Sequence, residues 1–517
     1  MVGAGIAGLC TALELAAAGC HVTLLERAAG PGGKLRQNGV NGIHGACGAG
    51  DACGASAPGS AIAPDRVAID AGPTVFTLRE VFEQVFRAAG SRLEEHLQLR
   101  PLSILARHAW NAGETLDLHA DSERSAAAIR DFAGAAEAAG YLRFCADSRR
   151  VYQTLDHSFM RATQPSLGGL IAHAGLRGLP DLFRLRAFSS LWDALGDYFR
   201  DPRLRQLFGR YATYCGSSPF SAPATLMLVA HVEQAGVWQI DGGMHALARA
   251  LHGLLLARGV TVRCATEVQR VHLHAGRVMA LELADGERLR VDAAVLTCDA
   301  AAVAAGLFGA AAAPATPQVS PSQRSLSAVT WTACVPTSGF ALLRHNVFFS
   351  GDYAAEFDRI LVQRQLPLQP TVYVCAQDRE GPAALAAGQP ERLLCLVNAP
   401  PTGDSHDFGS EEIAQCLTQT LATLQRCGLR LLAAPDQLQP TSPTDFNRLF
   451  PGSGGALYGQ ATHGWRASFR RPGARTRIPG LYLAGGSTHP GPGLPMAALS
   501  GRNAARCLLQ DQGLTAN

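Results

Sequence analysis

The sequence predicts an α/β fold whose first unit binds a dinucleotide, and three observations support this prediction. Gly3, Gly5 and Gly8 form a GxGxxG turn, which lets a nucleotide pyrophosphate approach the N-terminus of the following helix. Residues 9–18 are apolar at helical spacing and are followed by a glycine of the kind that ends helices. Residues 21–26 (HVTLLE) then resemble a buried strand that ends in an acidic residue.

The acidic residue at the end of this strand is Glu26. It stands 18 residues after Gly8, close to the roughly 20 expected for the carboxylate that accepts the ribose hydroxyls of a dinucleotide. Because the turn, helix, strand and acid follow in this order, we interpret the motif as a functional site. Only Met1 and Val2 precede the turn, so we expect a truncated or misassigned start and a shortened first strand.

The composition is that of a globular protein. The 517 residues carry a net charge of +3, with 47% hydrophobic and 17% charged residues and no Lys/Arg run. The fourteen cysteines form no CxxC pair and no Cys/His cluster with zinc spacing, which predicts reduced thiols and no metal site. Residues 9–20 lack the basic start of a secretion signal, and no uncharged apolar stretch reaches 18 residues. We therefore expect no nucleic-acid partner, no secretion and no membrane-spanning helix.

A second glycine-rich segment follows the predicted nucleotide unit. Gly32 and Gly33 let the backbone approach a ligand closely, and Lys34 is placed to meet a phosphate charge, although an ordinary loop with a solvated lysine has the same composition. Residues 38–68 are rich in Gly, Ala and Ser, and we expect a flexible surface insertion. Residues 68–76 (AIDAGPTVF) then predict a strand that turns at its Gly-Pro pair.

The middle of the chain is mostly helical in pattern. One helical face in residues 182–199 is apolar, which is typical of a core or tunnel wall and also of a helix on a membrane surface. This stripe comprises Leu182, Leu185, Phe188, Trp192, Leu195 and Phe199. Residues 241–259 predict a second Gly-Gly turn with a helix, and short strand patterns then predict a meander. Residues 311–322 resemble a linker, and residues 325–450 mix strand and helix patterns.

The last motif reads PGLYLAGGSTHPGPGLPMAALSGRNAARCL. It predicts a buried strand over residues 481–484, a close turn at Gly485 and Gly486, and a helix that begins at Pro495. The N-terminus of such a helix offers free N–H groups and the positive end of a dipole. That suits a cofactor ring that becomes anionic on reduction, although a Gly/Pro-rich loop before a terminal helix is an equally open interpretation.

Together these motifs resemble the FAD-dependent carotenoid desaturase family almost from end to end. The resemblance is carried by GAGIAG with Glu26, by GGK, DAGPTVF and DGGM, and by LAGGSTHPGPGLPMAALSGR. Within that family the chain is most similar to the bacterial 1-hydroxycarotenoid 3,4-desaturases, through DAGPTVFTLREVFE, HNVFFSGDY and PTVYVCAQDR. The short first strand and the insertion depart from the family pattern.

The resemblance implies a Rossmann-like FAD domain in the layout of the amine oxidases, beside a mixed α+β substrate domain. The discontinuous FAD domain would comprise residues 1–80, 236–300 and 455–517, and the substrate domain residues 81–235 and 301–454. Carried over by motif, FAD would contact Gly3, Gly5, Gly8, Glu26, Gly32, Gly33, Lys34, Gly72, Pro73, Thr74, Val268, Gly485, Gly486, Pro495 and Met496. Val268 would meet the adenine through its backbone, and Gly486 and Met496 would lie at the flavin end.

The implied reaction introduces a double bond between C3 and C4 of an acyclic C40 carotenoid that is hydroxylated at C1. Flavin would accept the hydride from C4, and a proton would leave C3. The protein would position the reactants and supply the electrostatic environment. The polyene delocalises positive charge, so no strong base is required and the catalytic residue stays unknown. His489 is a weak candidate for acid–base work, since loop histidines are more often structural. A buried hydrogen-bond partner would select the substrate through its C1 hydroxyl.

The resemblance also bears on partners and location. A substrate that dissolves in the bilayer, with no spanning helix in the chain, implies peripheral association with the cytoplasmic face of a membrane. No second fingerprint for NAD(P) is present, so the electron acceptor would be a transient quinone or oxygen. The alternatives are phytoene desaturase, a carotenoid isomerase, another FAD oxidase of the same fold, or a non-catalytic carotenoid carrier. Lys34 is the only lysine, which argues against an amine oxidase that uses a lysine beside the flavin.

Overall fold

The computed structural model describes residues 1–41, 62–63, 66–163, 188–379 and 388–514. Most of the predicted insertion 38–68 therefore lies outside the described residues, as do Leu182 and Leu185 of the predicted apolar stripe. The two ends of the predicted insertion are strands that pair antiparallel, with Val40 beside Val67. The insertion boundaries were wrong there, because Val40 packs in a small buried cluster with Ile69 and Cys334.

Strands and helices alternate along the described chain. The strands are β1 Thr23–Leu25, β2 Gln37–Asn41, β3 Arg66–Asp70, β4 Leu99–Pro101, β5 Ile104–Asn111, β6 Glu114–His119, β7 Trp238–Ile240, β8 Thr261–Arg263, β9 Val268–His274, β10 Arg277–Leu283, β11 Arg288–Arg290, β12 Ala294–Leu296, β13 Ser327–Val335, β14 Thr337–Ser338, β15 His345–Phe348, β16 Val372–Ala376, β17 Glu391–Ala399, β18 Arg430–Leu431, β19 Gln439–Thr441 and β20 Leu481–Leu483. The α-helices are α1 Ile6–Ala17, α2 Arg79–Ala88, α3 Ser122–Ala133, α4 Ala135–Leu155, α5 Leu191–Leu195, α6 Pro202–Gly209, α7 Leu228–Gln234, α8 His245–Ala257, α9 Ala300–Ala304, α10 Tyr353–Leu361, α11 Ser410–Arg426, α12 Pro443–Leu449 and α13 Leu494–Asp511.

A small parallel sheet forms the centre of the first lobe, as the glycine motif predicts. Strand β1 pairs parallel with β8, and β12 pairs parallel with β20. Val2 joins the two pairs, because it forms parallel bridges to both Leu25 and Leu296. The short first strand is thus a single bridging residue, held by a hydrogen bond from Val2 N to Val295 O (2.9 Å) and one from Thr297 N to Val2 O (2.9 Å).

Helices α1 and α13 cross closely on one side of this sheet. A Cβ atom on Gly501 would lie 2.4 Å from the carbonyl oxygen of Ala7, and the Thr11 hydroxyl donates to Gly501 O at 3.0 Å. The meander predicted after residue 259 is confirmed for three strands, which form an antiparallel sheet in the order β11, β10, β9. The first and last strands of that run, β8 and β12, instead pair parallel with β1 and β20. The final helix begins one residue before Pro495 and ends at Asp511, so that prediction is confirmed to within two residues.

A seven-stranded sheet is the basis of the second lobe. Its order is β19, β13, β17, β16, β15, β5 and β6, and all neighbours are antiparallel except β15 and β5. Side chains alternate between its two faces. One face of β13, with Val329 and Trp331, packs under helix α11, while Thr330 on the opposite face lines a large cavity.

The helical layer over the cavity side has an aromatic core. Phe144, Phe199 and Phe208 pack within 5.7 Å of one another, measured between ring centroids. Leu195 and Phe199 are buried there, which confirms a core role for that part of the predicted stripe. The described part is not one continuous helix, because Ser190 caps α5 through Asp193 N (3.1 Å) and the helix stops at Gly196. Among the described helices, none is long and apolar enough to cross a membrane.

Candidate functional site

One cavity of about 1030 Å³ runs between the two lobes. It brings together residues that are far apart in the chain, from Gly3 and Glu26 in the first lobe to Leu396 in the seven-stranded sheet, with Gly486 and Met496 between them. Of the predicted cofactor residues, all but Gly8 line this cavity.

The GxGxxG turn allows a backbone approach that only glycine permits. A Cβ atom on Gly8 would lie 2.0 Å from the carbonyl oxygen of Gly3, and one on Gly3 would lie 2.5 Å from Thr297 Oγ1. Gly3 also has φ of +98°, a conformation that favours glycine. The turn leads into helix α1, whose first turn contains no acidic residue. Its free N–H groups therefore suit an anionic group such as a pyrophosphate.

Glu26 is fixed at the end of β1 by two backbone hydrogen bonds. Its Oε2 accepts from Ala4 N at 2.6 Å and its Oε1 accepts from Ala28 N at 2.8 Å. An ionised carboxylate accepts about four hydrogen bonds, so lone pairs remain for the hydroxyls of a ribose. Val268, the first residue of β9, lines the same part of the cavity. The placement agrees with the predicted adenosine end.

The second glycine pair packs directly against the first turn. Gly32 N donates to Ala4 O at 2.9 Å, and a Cβ atom on Gly33 would lie 3.0 Å from the Cα atom of Gly5. Lys34 donates to the carbonyl of Leu457, and burial lowers the pKa of its ammonium group. The lysine is thus a buried cation beside the turn.

Sequence reasoning missed a second cation in this region. Arg36 lines the cavity two residues after Lys34, and burial lowers the pKa of its guanidinium to about 10. The signal was present in GGKLRQ, where an arginine follows the lysine at the distance that lets both side chains point to one side of an extended segment. Two cations near the turn favour an anionic ligand.

The other end of the predicted cofactor site combines two distant loops. Gly72, Pro73 and Thr74 face the cavity together with Gly485 and the segment from Pro495 to Met496. A Cβ atom on Gly72 would lie 1.8 Å from Lys34 O, so this loop is held against the GGK segment. Helix α13 begins here, and its N-terminus opens towards the cavity as the last motif predicts.

His489 is buried behind this end of the cavity and is not among its lining residues. Its Nε2 donates to the carbonyl of Ala162 at 2.9 Å, and its ring packs edge-on against Phe159. Burial lowers the pKa of His489 to about 4, so the imidazole is neutral at neutral pH. This geometry favours the structural interpretation, and a catalytic role stays an untested prediction.

The substrate half of the cavity contains polar groups that the sequence did not indicate. They are Arg210, Tyr214, Glu233, Thr330, Tyr373 and Asn398. Apolar side chains, among them Met160, Leu394 and Leu396, form much of the wall around these polar groups. The only available signal was a single arginine with two tyrosines close after it in RYATYC, a pattern that exposed turns also have.

The glycine cradle, the fixed carboxylate and the buried cations fit a dinucleotide such as FAD. The family of proteins described as "Flavin containing amine oxidoreductase" matches residues 6–509. The chain belongs to this family. The predictions of a Rossmann-like fold, of a flavin-dependent oxidoreductase and of FAD as its cofactor are confirmed. Individual cofactor contacts stay predictions.

Curated relatives narrow the similarity within the family. The chain is 51% identical over 510 residues to hydroxyneurosporene desaturase of Rubrivivax gelatinosus, which covers 98% of this chain and 92% of the relative. It is 43% identical to the protein of the same name from Cereibacter sphaeroides, over 99% of this chain and 97% of the relative. The predicted resemblance to carotenoid desaturases is therefore confirmed.

Solved structures show the same fold at low sequence identity. A structure of putrescine oxidase bound to putrescine matches with a TM-score of 0.55 and 13% identity, over 99% of this chain and 98% of the other. Cyclohexylamine oxidase from Brevibacterium oxydans matches with a TM-score of 0.54 and 14% identity, over 99% and 98%. The predicted amine-oxidase-like layout is confirmed by this likeness.

Replacing Gly8 by alanine is expected to abolish flavin retention. The added methyl group would overlap Gly3 O, so the turn and helix α1 must separate, at a cost of about 1–3 kcal/mol or more. The ratio of flavin to protein absorbance after purification should fall at least about tenfold, as this cost implies. Gly253→Ala is the matched control, because that exposed helical glycine has open space around it. Normal flavin content in Gly8→Ala would contradict the assigned role of the turn.

The contribution of three buried histidines to stability is expected to fall as the pH drops from about 6.5 towards 4. Burial lowers the pKa of His489 to about 4 and the pKa values of His108 and His345 to about 3. Unfolding raises these pKa values, so the unfolded chain binds more protons throughout this pH range. His489→Gln, which keeps a donor for Ala162 O, should make the urea midpoint less sensitive to pH between 7 and 5. An unchanged pH dependence would show that His489 does not contribute.

Proposed function

We propose that this protein introduces the C3–C4 double bond into acyclic carotenoids hydroxylated at C1, with FAD as the oxidant. The observation that carries the proposal is that three relatives, 51%, 43% and 40% identical over nearly the whole chain, are named hydroxyneurosporene desaturase. The cavity supports it, since an apolar half adjoins the flavin end of a dinucleotide cradle.

The chain's own residues would hold and position the cofactor. The turn at Gly3 and the N-terminus of α1 would bind the pyrophosphate, while Glu26 would accept hydrogen bonds from the ribose hydroxyls. Gly72, Gly486 and Met496 would lie beside the flavin ring. Bound FAD supplies a two-electron acceptor for the hydride of the substrate.

The substrate lobe positions the carotenoid and excludes water. Leu394 and Leu396 on the seven-stranded sheet face Met160 and other apolar side chains across the cavity. Burying an apolar chain there is favourable by about 25 cal/mol for each Å² removed from water. Because the site is dry and apolar, its few polar groups act strongly on whatever oxygen the substrate carries.

The predicted domain boundaries are part of the same proposal. The parallel sheet of the first lobe draws its strands from residues 1–80, 236–300 and 455–517, as the discontinuous FAD domain requires. The seven-stranded sheet draws its strands from residues 81–235 and 301–454, as the substrate domain requires. The interlobe cavity lies between these two sets.

The cavity reaches the surface at an aromatic pair that suits a membrane. Phe188 is 81% exposed, lines the cavity, and packs edge-on against Trp465 with ring centroids 5.3 Å apart. Arg466 lies over the Trp465 ring at 4.8 Å. Aromatic and basic residues together favour the interfacial region of a bilayer. We propose that the protein attaches peripherally to a membrane at this aromatic pair, on the cytoplasmic side. We also propose a quinone or oxygen as the transient electron acceptor.

The function is tested with purified holoenzyme and defined carotenoids. Hydroxyneurosporene should be converted to the 3,4-desaturated product, identified by absorption and mass, while neurosporene should remain largely unchanged. Anaerobic mixing should also bleach the flavin, which a non-catalytic carrier would not do. Equal rates on both substrates, repeated desaturation of phytoene, or cis/trans conversion without flavin reduction would contradict the proposal.

Membrane attachment is tested with the double variant Phe188→Ser, Trp465→Ser. Removing two large aromatic side chains from a bilayer interface should weaken binding to vesicles of mixed zwitterionic and anionic phospholipid by at least about tenfold. Val362→Ser is the control, because Val362 is 73% exposed and does not line the cavity. Cosedimentation measures the binding. If wild-type protein stays in the supernatant, or if the double variant binds as well, this attachment site is wrong.

A further inference from the structure

A half-buried arginine, Arg210, stands in the substrate half of the cavity. Arg210 begins the short helical turn Arg210–Cys215 after α6, and the surface that it still exposes faces the cavity. Its Nη1 donates to the Tyr214 hydroxyl at 3.2 Å. Its guanidinium also lies 5.4 Å from the ring centroids of both Tyr214 and Tyr373. Two tyrosine rings thus hold a positive charge at the wall of a space that apolar side chains line in large part.

No carboxylate among the described residues forms an ion pair with Arg210. Burial raises the pKa values of two nearby carboxyl groups, Glu233 and Glu356, and the charge of Arg210 offsets a part of this rise. Each has other partners: Glu233 accepts from the Tyr211 hydroxyl at 2.8 Å, and Glu356 accepts from Ser350 and Thr371 at 2.8 and 2.7 Å. A guanidinium has five N–H donors, and within the described chain Arg210 uses only the one towards Tyr214.

Two separate sets of contacts place Arg210 near the predicted flavin end of the cavity. The Tyr373 hydroxyl, beneath the guanidinium, hydrogen-bonds Thr74 Oγ1 at 2.7 Å, in the loop that faces the predicted flavin position. On the other side, burial raises the pKa of Tyr458 to about 12, and the charge of Arg210 offsets a part of this rise. The Tyr458 carbonyl accepts from Arg471 at 3.0 Å, and Arg471 also approaches Gly486 O at 3.4 Å.

The sheet beside Arg210 adds a second unpartnered polar group. Thr330, Leu396 and Tyr373 are direct neighbours across β13, β17 and β16 and share the cavity face. Thr330 is only 3% exposed, and its hydroxyl has no hydrogen-bond partner in the described structure. A pure hydrocarbon gives neither Arg210 nor Thr330 a partner, whereas a substrate oxygen gives one to both.

We propose that Arg210 binds the oxygen at C1 of the carotenoid end group and thereby selects hydroxylated substrates. The inference rests on the proposed function. An N–H of the guanidinium donates to the oxygen, and the hydroxyl hydrogen turns towards Thr330. C1 is three bonds from C4, so the oxygen and the reacting bond must lie at the same end of the cavity. A hydrocarbon end group leaves a buried cation unpartnered, which disfavours its binding.

The test compares Arg210→Met with Arg205→Met in the holoenzyme. Arg205 is a matched control, because it also stacks on an aromatic ring, that of Trp192 at 4.6 Å, and makes one hydrogen bond, to Trp192 O at 3.1 Å. It does not line the cavity. The measured quantity is the ratio of kcat/KM for hydroxyneurosporene to that for neurosporene. Arg210→Met should lower this ratio at least about tenfold, since one charged hydrogen bond is lost, and Arg205→Met should leave it unchanged.

Equilibrium binding keeps the inference separate from the proposed reaction. Quenching of tryptophan fluorescence by each carotenoid should show tighter binding of the hydroxylated one to the wild type, and a loss of that preference in Arg210→Met. If wild-type enzyme binds both carotenoids with this preference but desaturates neither, the proposed function fails and the inference survives. An unchanged preference in Arg210→Met overturns the inference, whether or not the flavin spectrum is shifted.

A second substitution covers the case in which Arg210→Met does not fold or loses flavin. Arg210→Lys keeps the charge but replaces a planar fork of five donors with a compact ammonium group. It should retain flavin and lower the preference for hydroxyneurosporene without abolishing it. The assignment would be overturned if Arg210→Lys and Thr330→Val both kept the wild-type preference for hydroxyneurosporene.

Discussion

The contact between Gly8 and the carbonyl of Gly3 is the constraint on which the rest of this site depends. The two backbones are so close that a single methyl group on Gly8 would lie 2.0 Å from that oxygen. This approach aims the N-terminus of α1 into the cavity and places Ala4 N where it binds Glu26 at 2.6 Å. Gly32 N in turn binds Ala4 O. One steric requirement thereby orients the free N–H groups, the carboxylate of Glu26 and the second glycine pair.

The alternation of side chains in the second lobe separates stability from selectivity. On β13, Trp331 faces the core under α11 while its neighbour Thr330 faces the cavity. The same division on β17 leaves Leu394 and Leu396 on the cavity side. Residues on the cavity face can therefore differ without changing those on the packed face, because the two sets lie on opposite sides of the sheet.

Several features could be predicted because their signals are local. The turn at Gly3, the carboxylate of Glu26 and the helix after Pro495 each follow from spacing within a short segment, and the structure places all of them at the cavity. The continuous helix over residues 182–199 was wrong in its described part, since Ser190 and Gly196 begin and end a much shorter helix. Apolar periodicity does not show where a capping hydrogen bond will form. Arg36 was not predicted as a site residue, because Lys34, two residues before it, already accounted for a positive charge in the motif.

The sequence by itself determined the nucleotide-binding unit and the family resemblance, because both are written in residues a few positions apart. Only the tertiary structure decided that Arg210, Tyr373 and Thr330 face one cavity. They come from a helical turn and two strands, and their proximity depends on the pairing of β13, β17 and β16. It also decided that His489 is buried against Ala162 rather than at the cavity wall. Burial and the lack of a charged partner are properties of the packed chain, and no local pattern of residues encodes them.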